Sequence, residues 1–227
     1  MTAEEFKHRD GILPYRLSGP VDAVERHPLL VFLHGIGERG HDNRAQLKHG
    51  IAAVPTWLET TGRQALVVAP QCADPGSWAD IDWETKALQR RKEPTRELGL
   101  VLALLDELVA TRPVDPRRIY LTGLSMGGYG TWDAIWRRPE FFAAAIPVCG
   151  GGLPEKAGRL VDLPLWAFHG DADTVVPPEQ SRAMVDAIRQ AGGSPKYTEY
   201  AGVGHDSWTR TYEDGSVLEW LFEQVRP

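Results

Sequence analysis

Along the chain, short apolar runs alternate with longer stretches in which apolar residues recur every three or four positions. That alternation is the pattern of a parallel sheet buried between helices. The runs Leu29 to Leu33, Leu66 to Ala69, Ile119 to Leu124, Ala143 to Val148, Leu165 to Phe168 and Lys196 to Tyr200 predict strands, with an opening strand over Gly11 to Leu17. The clearest helix spans about Thr95 to Ala110, where Leu98, Val101, Leu102, Leu105, Leu108 and Val109 form one apolar stripe. It stops at Arg112-Pro113, because proline cannot extend it. Further helices are predicted from Glu179 to Ala191, between two prolines and two glycines, from Ser125 to just before Pro139, and near Val217. No repeat, low-complexity tract or linker breaks the pattern, so residues 1–227 read as one α/β domain.

Composition narrows the function. The 227 residues suffice for a full sheet-centred core. A net charge of −6, with no basic run beyond pairs such as Arg90-Arg91, argues against nucleic acid as a partner. Cys72 and Cys149 have neither metal-ligand spacing nor the density of a disulfide scaffold, which predicts free thiols in a reducing compartment. The opening MTAEEFKHRD lacks the apolar core of a signal peptide, and no run approaches membrane-spanning length. A cytoplasmic location is expected.

One motif carries chemistry. Gly123-Leu124-Ser125-Met126-Gly127 sets a G-x-S-x-G pentapeptide where a buried strand meets a helix. In that turn a serine hydroxyl projects above the sheet, the glycines remove Cβ atoms that would collide, and the helix N-terminus faces the site. The pattern alone also suits an ordinary serine in a tight turn. A nucleophilic serine needs a base, and in hydrolases with this elbow the acid and then the histidine follow the serine along the chain. Only His169 and His205 follow Ser125. His169 ends a strand with no strand-borne acid between it and the serine, so it reads as a packed imidazole. His205, in the loop Gly202 to Asp206, reads as the base. The loop after His169 holds both Asp171 and Asp173, and spacing leaves the acid open between them; Asp171 also suits simple turn closure. The oxyanion donors are expected to be the N–H of Met126 and that of Ile36, in the glycine-rich loop His34 to Gly40. That loop lacks the G-K-[ST] of a phosphate cradle. His34 is expected to brace it, and Glu38, Arg39, Asp42 and Asn43 to form a polar network or a solvated charged turn.

Five ordered blocks then resemble phospholipase/carboxylesterase-type and prolyl-oligopeptidase-like α/β hydrolases, including bacterial esterases and peptidases. They are LHGIGERGHDN from Leu33, VVAPQC from Val67, the segment GLSMGGYGTWDAIWRRPEFFAAAIPVCGGG from Gly123, PLWAFHGDADTVVP from Pro164 and GVGHDSW from Gly202. The resemblance implies an α/β-hydrolase fold, a mostly parallel twisted sheet with helices on both faces. It implies Asp173 as the acid, hence a Ser125, Asp173, His205 triad with Ile36 and Met126 as oxyanion donors, and no metal or organic cofactor.

The substrate is less legible. The connection from Gly150 to Leu163 is too short for a large cap, which predicts an open cleft for small or short-chain acyl esters. Trp78 and Trp83 either wall that cleft or anchor their loop, and Trp208 is expected to line it. Cys72 and Cys149 are expected as buried thiols at strand ends. The expected enzyme is a serine carboxylesterase working through an acyl-enzyme on a small-molecule ester, with no membrane partner and with homodimer formation left open. A peptidase, a thioesterase and a non-catalytic binding protein are the alternatives.

Overall fold

The computed structural model describes all residues from Met1 to Pro227. The elements in chain order are β1 (Thr2–His8), β2 (Gly11–Ser18), β3 (His27–Leu33), α1 (Ala53–Thr61), β4 (Leu66–Pro70), β5 (Ile81–Asp82), β6 (Ala87–Leu88) and α2 (Arg96–Thr111). They continue with β7 (Val114–Leu124), α3 (Met126–Arg137), β8 (Ala144–Val148), β9 (Trp166–Gly170), α4 (Glu179–Gln190), β10 (Lys196–Tyr200), α5 (Trp208–Glu213) and α6 (Gly215–Glu223). Eight strands form one sheet in the order β1-β2-β4-β3-β7-β8-β9-β10, while β5 and β6 make a separate small hairpin. The first two pairings are antiparallel and the rest parallel.

Strand β3 shows why this sheet is buried on both sides. Its residues alternate between faces, Leu29, Val31 and Leu33 joining one core cluster and Leu30 and Phe32 the other. The first cluster takes the apolar sides of α2, α3 and α4, through residues such as Leu104, Trp132 and Met184. The second takes α1 and α6, through Val54, Leu58, Val217 and Leu221, with Tyr212 of α5. Each such leucine, withdrawn from water, contributes roughly 1.5–3 kcal/mol. Helix α2 begins where Thr95 caps it, its side chain accepting from Leu98 N–H at 3.2 Å, and ends before Pro113.

All seven expected strands and four expected helices are present, with ends displaced by a few residues. Pattern reading missed β1, α1, the β5–β6 hairpin and α5. The connection from β8 to β9 carries only a short 3-10 turn, Pro154–Arg159, and no cap. No helix is long and apolar enough to cross a membrane.

Candidate active site

Ser125 sits between β7 and α3 with φ 53° and ψ −115°. Positive φ is uncommon for a residue with a side chain and persists only where the surroundings impose it. Here the clamp is visible in the neighbouring glycines. A Cβ on Gly127 would stand 1.9 Å from the Leu33 carbonyl oxygen, and one on Gly123 would stand 2.4 Å from the Gly127 oxygen. Helix α3 therefore starts in backbone contact with the ends of β3 and β7. The serine is turned out at the C-terminal edge of the sheet, where open α/β sheets place their ligands.

Two loops at the same edge supply its partners. His205 Nε2 lies 2.9 Å from Ser125 Oγ, and His205 Nδ1 lies 2.7 Å from Asp173 Oδ2. With the proton on Nδ1, that N–H donates to the carboxylate, which leaves Nε2 to accept from the serine hydroxyl. The structure thus joins three residues separated by 80 and 32 positions in the chain. Asp173 is buried and fully engaged. Its Oδ1 accepts from Val175 N–H at 2.8 Å and Val176 N–H at 3.0 Å, while Oδ2 is shared by His205 and, at 3.2 Å, His169 Nε2. Burial on its own would raise this carboxyl. The hydrogen bonds from His169, His205 and Val176 outweigh it and hold Asp173 well below the usual carboxylate range. It stays ionised.

Asp171, the other candidate acid, is exposed and does not meet the imidazole; its Oδ1 accepts from Gly202 N–H at 2.7 Å. That bond, with Asp171 N–H to Tyr200 O and Ala172 N–H to Val203 O, clamps the His205 loop onto the Asp173 loop. His169 is buried as expected, held by Ser181 Oγ at 2.8 Å and Val176 O at 2.9 Å. Its contact with Asp173 was not foreseen. The four-residue spacing inside HGDAD was the available signal.

The glycine-rich loop begins with a 3-10 turn, Ile36–Glu38. The N–H groups of Ile36 and Met126 open that turn and α3 respectively, and first-turn N–H groups have no partner within their own helix. His34 braces the loop from below. Its Nδ1 donates to Gly35 O at 2.6 Å and its Nε2 accepts from Cys72 N–H at 2.9 Å. Burial pushes this imidazole down to about 4. Asp42 and Asn43 do join a polar network, through Gln71, but Arg39 turns to Asp74 and the Glu38 carboxylate stands apart from both.

The tryptophans separate. Trp78 does not wall a cleft: it is fully buried, and its indole N–H donates to His34 O at 3.0 Å, so it anchors its loop under the site. Trp83 is partly exposed, edge-on to Tyr129 of α3, whose hydroxyl donates to Lys86 O in the β5–β6 hairpin. Trp208 stands edge-on to His205, ring centres 5.4 Å apart, with its indole nitrogen unpartnered. Both cysteines are buried and unbridged. Nowhere do three or more His, Cys, Asp or Glu side chains gather into a metal-binding group.

A twisted sheet of this order, with a strained serine on the β7–α3 elbow, defines an α/β hydrolase. The chain belongs to the phospholipase/carboxylesterase family, whose profile matches residues 21–217, and it is a carboxylic ester hydrolase. Among solved structures, a thermostable esterase superposes with a TM-score of 0.89 at 41% identity, covering 99% of this chain; this chain spans 63% of that longer one. Carboxylesterase SOBER1 of Arabidopsis thaliana is 24% identical over 78% of this chain and 82% of its own length. Acyl-protein thioesterase 1 of Neurospora crassa is 25% identical over 82% of this chain and 84% of its own.

Proposed function

We propose that this protein hydrolyses small or short-chain acyl esters by two-step acyl transfer, with Ser125, His205 and Asp173 as the triad. The observation that carries the reading is the continuous hydrogen-bonded relay from Ser125 Oγ through both His205 nitrogens to a buried, ionised Asp173. His205 Nε2 takes the serine proton as Oγ attacks the ester carbonyl. The oxyanion that forms is held by the N–H groups of Ile36 and Met126, each contributing about 3 kcal/mol of transition-state stabilisation. Collapse breaks the bond to the alcohol oxygen, which takes the proton from His205, and leaves an acyl group on Ser125. Water then enters, gives its proton to His205, and releases the acid while Oγ regains its hydrogen. Asp173 fixes the tautomer and stabilises the imidazolium without taking the proton.

Small acyl groups are favoured because no cap stands between β8 and β9, leaving only the Pro154–Arg159 turn there. Trp208, edge-on to His205, supplies aromatic surface beside the site. The similarity to an acyl-protein thioesterase favours one further reading, cleavage of thioesters by the same relay. A panel of acetyl, butyryl, octanoyl and feruloyl esters, with acyl-CoA and aminoacyl anilides beside it, tests both. Fastest turnover of the short esters, lost in Ser125→Ala, is expected; faster thioester or anilide cleavage would overturn the substrate assignment.

A further inference from the structure

Glu38 is a charged group close to the nucleophile that acyl transfer leaves unused. It closes the Ile36–Glu38 turn and is only 6% exposed. Its backbone oxygen accepts from Gln71 Nε2 at 3.2 Å, but its carboxylate accepts no hydrogen bond from the protein. The adjacent cation, Arg39, is committed elsewhere, to Asp74 and to the carbonyls of Pro75 and Gly76. What the carboxylate does face is His49, whose Nε2 is 3.7 Å from Oε1, too far for a hydrogen bond. The residue is nearly buried but its carboxylate oxygens still reach solvent, so the donor they need comes from water or from a bound molecule.

The position of Glu38 indicates which molecule. The point where a Cβ on Gly35 would sit is 3.0 Å from Glu38 Oε2 and 3.8 Å from Ser125 Cβ, so carboxylate and nucleophile flank one bare glycine. On the other side, Trp208 links the two imidazoles, its ring centre 5.4 Å from that of His205 and 5.9 Å from that of His49. His205 is the group that protonates the leaving alcohol, so the alcohol half of the ester departs along this side. A hydroxyl set beside the Glu38–His49 pair can bridge it: it donates to the carboxylate and accepts from the imidazole N–H. The facing carboxylate favours the tautomer of His49 with the proton on Nε2; an ammonium cannot accept from that N–H, and an alkyl chain offers the carboxylate no donor.

We propose that Glu38 and His49 form a hydroxyl-binding subsite for the alcohol half, so that the preferred substrates are partial esters of polyols such as glycerol or a sugar. This rests on the acyl-transfer reading above and adds the identity of the alcohol. The test compares kcat/KM for glycerol monoacetate and propyl acetate, which share an acyl group and a carbon skeleton. The wild type is expected to favour the glycerol ester by about tenfold or more, the worth of a hydrogen bond to a charged group. In Glu38→Met that ratio falls towards one, and in Glu38→Gln, which keeps one neutral acceptor, it falls partway. Being a ratio within one enzyme sample, it is insensitive to how much of a variant folds. Equal turnover of the two esters by the wild type, or an undiminished ratio in Glu38→Met, would overturn the subsite and leave the esterase reading intact. Preference for the acetate ester of an amino alcohol over that of glycerol would overturn the hydroxyl assignment. Failure of the wild type to cleave either ester would remove both proposals.

Discussion

His169 Nε2 approaches within 3.2 Å of Asp173 Oδ2, the oxygen that also receives the Nδ1 bond of His205 at 2.7 Å. Two imidazoles therefore share one carboxylate oxygen, one partly exposed and facing the serine, the other fully buried behind it. The buried one is itself held by Ser181 and the Val176 carbonyl, so the direction of the carboxylate is fixed from below. His169→Phe should keep the volume and lose that anchor. A hydrogen bond to a charged group is worth roughly 1.5–3 kcal/mol, so kcat should fall about ten- to a hundredfold with KM little changed. Steady-state kinetics on a short ester would read this, and a fall in KM affinity alone would argue for a merely structural histidine.

The two aspartates of the β9 loop should behave in opposite ways. Asp173→Asn leaves the geometry but favours the wrong His205 tautomer, a change expected to lower kcat by about 10⁴-fold. Asp171→Asn keeps an oxygen that can accept from Gly202 N–H, and activity should stay within a few fold. Comparable losses in the two variants would mean that loop clamping, rather than the carboxylate–imidazole bond, is what matters.

Much of this was legible in the sequence, and the limits have physical causes. Strands β3, β4 and β8 stood out because both faces are buried, so each reads as an unbroken apolar run. Strand β1 was missed because it lies at the sheet edge and only Phe6 is buried; pairing with β2, not its own pattern, makes it a strand. Helix α1 buries just Val54 and Leu58 over nine residues, too little periodicity to recognise. The elbow and the histidine announced themselves through motif and position. Asp173 over Asp171 came from family resemblance alone, since two carboxylates in one loop look alike until the backbone aims them. Glu38 looked like one more charge in a polar turn; only the fold reveals that its neighbours' side chains point elsewhere.

Glycine substitutions should separate collision from strain. Gly127→Ala places a methyl 1.9 Å from the Leu33 carbonyl oxygen, with backbone on both sides and no flexible side chain to yield. A loss of about 3 kcal/mol or more is expected, or failure to fold. At Gly62, where φ is 67° and nothing lies within 4 Å, alanine should cost only about 1–2 kcal/mol, from backbone strain. Urea midpoints for the two variants would check the order, and a milder effect at Gly127 would contradict the packed elbow.

His34 should make the protein acid-sensitive. Burial disfavours the charged form of this imidazole, whose Nε2 accepts from Cys72 N–H in the folded state, and it titrates at about 4. In the unfolded chain a histidine titrates near its ordinary value of about 6.5. Between these values the unfolded chain binds a proton that the folded one refuses, so this contribution is complete above about pH 6.5 and lost as pH falls towards 4. Its full size is about 3 kcal/mol. Urea unfolding at about pH 7 and about pH 4.5 should show a smaller drop in His34→Gln than in the wild type. An equal drop would place the acid sensitivity elsewhere.

The account stands on Ser125 being a nucleophile made reactive by His205. Labelling with a fluorophosphonate probe, followed by peptide mass mapping, tests that most directly. The prediction is a single adduct on Ser125, absent from Ser125→Ala and formed far more slowly by His205→Ala. An adduct on another residue, or undiminished labelling after either substitution, would contradict it.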